Sequence, residues 1–179
     1  MTKWWMVVAV VVTVVSIAEA GESLPPRTID LQMKSDARVP AHILEESRDE
    51  VTRIFADAGL LVRWTDTAPR FIVHIFPQVL GYAGATSPVM GVAQRRANGS
   101  LVRVFFKQVH DFARVYHVDL STMLAYVIAH EVGHLLLPGY GHSPTGLMQA
   151  GWDRALLHDA ATGSLTFTEA QAARIRASR

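Results

Sequence analysis

The sequence predicts an α+β domain, and three observations carry that prediction. Apolar residues alternate with polar ones in several short runs, the period of a half-buried strand. Between the first two runs the period shifts to that of an amphipathic helix. Further on, a long stretch around Met123–Leu135 is apolar almost all round, as expected of a helix running through the middle of a domain.

The elements follow in order. Thr28-Ile29-Asp30-Leu31-Gln32-Met33 alternates and reads as the first strand. From Pro40 to Gly59, Ile43, Val51, Ile54, Phe55 and Ala58 recur at helical spacing, and Gly59 is a natural stop. Leu60–Trp64 and Phe71–Phe76 read as the second and third strands, separated by a turn over Thr65–Arg70 that contains Asp66 and Pro69. Asn98-Gly99 is a hairpin signal pairing Met90–Arg95 with Leu101–Phe106. The central helix comes next, capped by Asp119 or Ser121, with Met123, Leu124, Val127, Ile128 and Leu135 as its apolar surface. Thr166-Phe167-Thr168-Glu169 reads as a capping box that opens a C-terminal helix.

The first twenty residues stand apart. Lys3 gives a basic start, Trp4–Ile17 an apolar run, and Ala18-Glu19-Ala20 a small-x-small cleavage site, the pattern of a secretory signal peptide. The run is short for a membrane span, which needs roughly 20 residues. Residues 1–20 are therefore expected to be removed and 21–179 to form a single domain, secreted or periplasmic, with no stable membrane association after cleavage. Little chain separates the cleavage site from the first strand, so no folded inhibitory propeptide is expected.

Composition narrows the chemistry. With 17 basic and 16 acidic residues the formal charge is +1, which gives neither a basic nucleic-acid face nor a polyanionic tail. Cysteine is absent, so an exported chain of this kind has no disulfide framework and no thiolate to offer a metal. Histidine and carboxylates are what remain.

They are concentrated at His130-Glu131-Val132-Gly133-His134. Residues four apart lie on one face of a helix, so His130 and His134 can share a metal ion. Glu131 lies about a quarter-turn away, within reach of metal-bound water but not of the metal. A hydrolytic zinc site takes three protein ligands and leaves a position for water. His142 is the expected third, carried by a chain that turns at Gly139 or Gly141. Tyr140, Asp153, His158 and Glu169 are its rivals. His142 is favoured over them by closeness and chemistry.

With these residues and Met148 in Ser143–Met148, the chain resembles the metzincin clan of zinc peptidases. Those enzymes place His-Glu-x-x-His on a central helix, supply a third histidine after a glycine turn, and pass a methionine-containing turn beneath the metal. The resemblance implies a zincin-like fold: a small, twisted, mixed sheet packed on a long N-terminal helix and a central active-site helix, with a short C-terminal subdomain ending in a helix. It implies Zn2+ on His130, His134 and His142, Glu131 as general base, Met148 as the Met-turn, and a peptide or protein substrate. Two departures stand out. Leu137 occupies the usual glycine position and Tyr140 the usual histidine position, so the third ligand comes from a longer loop. Substrate is expected beside an edge strand, either Gly81–Ala85 or Val89–Gln94. The competing readings are a zinc-binding protein without turnover, and a gluzincin-like peptidase whose third ligand is a distant acid such as Glu169.

Overall fold

The computed structural model describes residues 27–78, 89–96, 99–139 and 141–178. The expected signal peptide, the Gly81–Ala85 edge, Asn98 and Tyr140 lie outside those residues. In chain order the elements are β1 (Arg27–Ser35), α1 (Ala41–Asp57), β2 (Leu60–Trp64), β3 (Phe71–Phe76), β4 (Gly91–Gln94), β5 (Ser100–Phe105), α2 (Phe106–Tyr116), α3 (Leu120–Leu136), α4 (Arg154–Ala161) and α5 (Glu169–Ala177). No helix among the described residues is long and apolar enough to cross a membrane.

The five strands form one mixed sheet in the order β2-β1-β3-β5-β4. β1 runs parallel to both β2 and β3, and β3 parallel to β5; β4 alone is antiparallel, at the edge. Alternation along the strands decides which face is covered. Ile29 and Leu31 of β1, Val73 and Ile75 of β3, and Val102 and Val104 of β5 are fully buried. Their neighbours on the other face carry Asp30, Gln32, Lys34 and Arg63, which water must reach.

Two helices cover the apolar face. α1 contributes Ile43, Val51, Ile54 and Phe55, the periodic residues of the sequence. α3 is buried nearly all round, as its composition requires, and packs against α1, the sheet, α2 and α4. Its entry is fixed by Asp119, which accepts from the Thr122 backbone N–H at 2.9 Å and so satisfies a free helix-end donor. α1 and α3 are also joined by polar contacts. Ser47 Oγ donates to the Ser121 carbonyl at 3.0 Å, and Arg53 bonds the Tyr126 hydroxyl while pairing with Glu50 and Asp57.

Three differences from the sequence reading have clear causes. α2 was not expected; it follows β5 without a linker, and Phe105 at its N-cap offers no side-chain cap. α4 was not expected either, and the Asp153 considered as a metal ligand is its N-cap, accepting from Leu156 N–H at 2.9 Å. The capping box of α5 is Thr168 with Gln171, two residues later than Thr166 with Glu169. Glu169 instead sits exposed in the first turn and pairs with Arg176 at 2.7 Å.

The shifted capping box has a measurable consequence. Thr168→Ala is expected to lower stability by about 1 kcal/mol, the usual effect of a lost N-cap. Glu169→Ala should change it by less than about half that, since exposed ion pairs contribute little. Urea denaturation of the two variants checks the ranking.

Candidate metal centre

The last two turns of α3 carry His130 and His134 on one side, and their Nε2 atoms lie 3.2 Å apart. His130 Nδ1 contacts the Leu147 carbonyl at 2.8 Å, so Nδ1 carries the proton and Nε2 presents a lone pair. Two imidazole nitrogens each about 2.05 Å from a tetrahedral zinc ion would be about 3.3 Å apart. The observed spacing matches.

His142 completes the group. α3 ends at Leu136, Leu137 is its C-cap, and the chain turns at Gly139 with φ +73°. Of the two glycines proposed for that turn, Gly139 has the left-handed conformation that disfavours a side chain. His142 then stacks against the His130 ring at 5.3 Å between centroids and meets His134 edge-on at 4.9 Å. One ligand atom from each of the three histidines lies within 4.8 Å of the others, a group that could hold a metal ion. His130 is buried, His134 half-buried and His142 exposed, so the centre opens to solvent on the His142 side.

Hydrogen bonds from below hold the loop. Ser143 N–H donates to the Met148 carbonyl and Leu147 N–H to the Thr166 carbonyl, both at 2.9 Å. Ser143 Oγ accepts from Gln171 Nε2 at 2.9 Å, while Gln171 Oε1 caps the Thr168 N–H. Gln171 is fully buried, and sequence reasoning did not single it out; the Thr-x-x-Gln spacing at Thr168 was the available signal. Met148 is fully buried directly beneath Gly133, where an added Cβ would lie 2.6 Å from its sulfur and 2.9 Å from Phe167. Gly133 therefore lets the methionine turn approach the helix.

Glu131 points elsewhere. It lines a cleft of about 250 Å³ together with His130, His142, Val127, Trp152 and the Val89–Gly91 segment that leads into the edge strand. Burial pushes its carboxyl up to about 7, partly offset by a hydrogen bond from the Ala93 backbone N–H. Burial also lowers His130 to about 4 and depresses His134, so both imidazoles are neutral near pH 7, as metal ligation requires.

The rival ligands are placed as follows. Asp153 caps α4, Glu169 is paired at the start of α5, and His158 lies in a separate groove with His117 and Arg154. His74, a further histidine, is on β3, 2.9 Å from Asp36 and in tilted ring contact with Phe76. None of these joins the three-histidine group.

No protein-family model matches the chain, and no curated protein matches it. Among solved structures, the fold is similar to that of a zinc-dependent peptidase from Methanocorpusculum labreanum (strain Z), with a TM-score of 0.55. The fold resembles that of a zinc peptidase. The similarity covers 81% of this chain and 99% of that one at 16% identity, so it speaks for architecture alone.

Two variants probe the centre. Gly133→Ala should destabilise the protein by about 1–3 kcal/mol, the range for overpacking a close-packed site, read from denaturant unfolding. In metal-free protein, Glu131→Gln should be stabilising at high pH. The Glu131 carboxyl titrates above its ordinary 4.5, so its contribution is full below about 4.5 and is lost as the pH rises through about 7. The variant's advantage in unfolding free energy should therefore grow across that window towards roughly 3 kcal/mol and vanish below it.

Proposed function

We propose that this protein is an exported zinc-dependent peptidase, with His130, His134 and His142 as metal ligands and Glu131 as general base. One observation carries the reading: three histidines converge beside a buried carboxylate that is not part of their group, within an open cleft. A structural zinc site closes its fourth position and has no use for a base. The fold's likeness to a zinc-dependent peptidase supports the same conclusion. Export rests on the N-terminal signal pattern, Lys3 followed by Trp4–Ile17 and Ala18-Glu19-Ala20.

Zinc held there by His130, His134 and His142 would supply a Lewis acid for the scissile carbonyl and would lower the pKa of water towards about 7. Glu131 takes a proton from the attacking water and returns it to the departing amine nitrogen, a role typically worth about 10²–10⁴-fold. His130 is oriented for ligation by the Leu147 carbonyl and His142 by the Ser143–Met148 turn. Met148 floors the site beneath Gly133.

The substrate enters as an extended peptide beside β4. Phe105 N–H donates to the Met90 carbonyl, so in an antiparallel ladder Met90, Val92 and Gln94 face β5. Gly91 and Ala93 then turn their backbone groups outward, to the cleft side. Strand addition at that edge supplies main-chain affinity, and Val127, Ala150 and Trp152 present an apolar wall to a side chain.

Purified mature protein should hold about one zinc per chain, and His142→Ala should weaken or abolish that binding. Glu131→Ala should keep the zinc and lose cleavage of a peptide library by about 10²-fold or more. Unchanged zinc in His142→Ala would move the third ligand elsewhere. Zinc lost on Glu169→Ala would favour the gluzincin-like arrangement. No zinc after reconstitution would end the peptidase reading.

A further inference from the structure

Edge strand β4 packs against the helix that carries the metal group, and Gly91 meets that helix at Glu131, the proposed general base. A Cβ built on Gly91 would lie 2.7 Å from Glu131 Cγ, 2.9 Å from Oε1 and 3.0 Å from Cδ. Atoms that close cannot coexist, so a side chain at this position would displace the carboxyl from its place beside β4. Gly91 has no positive φ to explain the glycine, so the missing side chain is what the site uses.

Two positions further on, the Ala93 backbone N–H acts on the Glu131 carboxyl and favours its charged form. This donor is available because Ala93 faces away from β5 in the ladder. Two positions beyond that, just after β4, the Arg95 guanidinium donates to the Leu135 carbonyl near the end of α3, one helical turn past Glu131. Residues 91 and 93 of β4 and Arg95 just beyond it therefore all meet a single stretch of α3.

We infer that β4 is a clamp on Glu131: Gly91 makes the space in which the carboxylate lies and Ala93 N–H fixes its direction, so that both are positioning residues for proton transfer. Neither touches the histidines, and neither needs to. A carboxylate four bonds from its backbone has several rotamers; one held by a strand amide keeps its free oxygen aimed into the cleft without swinging onto the metal. The clamp also sets where a substrate strand aligns. With the Ala93 amide engaged, the outward N–H left to a substrate on this stretch of β4 is that of Gly91. The catalytic consequence rests on the peptidase reading above, whereas the contact itself does not.

The contact is tested first, by amide hydrogen exchange on 15N-labelled mature protein of known zinc content. Ala93 N–H should be protected despite facing outward from an edge strand. Glu131→Ala should speed its exchange by about tenfold or more while Val92, which faces Arg103, is unchanged. An unprotected Ala93 amide, or one indifferent to Glu131→Ala, overturns the clamp whether or not the protein cleaves peptides.

The consequence is tested with Gly91→Ala and Ala93→Pro. Proline is tolerated where an edge-strand N–H faces away from its neighbour, so Ala93→Pro removes the donor and leaves the ladder intact. Both variants should keep wild-type zinc affinity while kcat for a cleaved peptide falls by about 10²-fold, the effect of misplacing a reacting group by about 1 Å. A fall in zinc affinity matching the fall in kcat, or full kcat in both, overturns the positioning role.

Discussion

The contact between His130 Nδ1 and the Leu147 carbonyl is the constraint on which the rest depends. It joins the central helix to the loop that follows it, and it decides which imidazole nitrogen is free. Leu147 is in turn held by the Thr166 carbonyl, and Ser143 by Met148 and Gln171. A single polar path thus runs from α3 through the methionine turn to the cap of α5. Its members are buried or half-buried, where an unmet hydrogen bond is expensive, so the path has one low-energy arrangement.

Packing reinforces that arrangement. Gly133 admits Met148, and Phe167 stands behind both and packs on Phe55 of α1 at 5.5 Å between ring centroids. Tyr126 ties α3 to α1 through Arg53 and meets Trp152 edge-on, while Trp152 also faces His130. The floor and wall of the cleft are therefore continuous with the core. A site built on such elements keeps its geometry better than one assembled on loops alone.

Much of this was legible in the sequence because strong local signals coincide with tertiary ones. β2 and β3 match their predicted bounds, since each is a short apolar run closed by a turn residue, Gly59 or Pro69. The spacing of His130 and His134 is a property of any helix, so their convergence needed no structure. What stayed hidden depends on contacts between distant segments. Phe106 continues an apolar strand-like run, and nothing local says that the chain coils there into α2. Thr166 and Thr168 offer overlapping capping patterns, and burial of Gln171 chooses between them. Gly91 looks like one more loop glycine until the carboxyl of Glu131 is found against it.

The unequal burial of the three histidines bears on how a metal ion would come and go. His130 belongs to a helix buried nearly all round, whereas His142 sits exposed on a loop after Gly139. Segments of that kind open locally far more often than the core unfolds. Exchange of the ion would then follow excursions of the loop, with two imidazoles staying in place to recapture it. Ion release and global unfolding would then be separate clocks, and a chelator would strip a bound ion from a protein that is otherwise still folded.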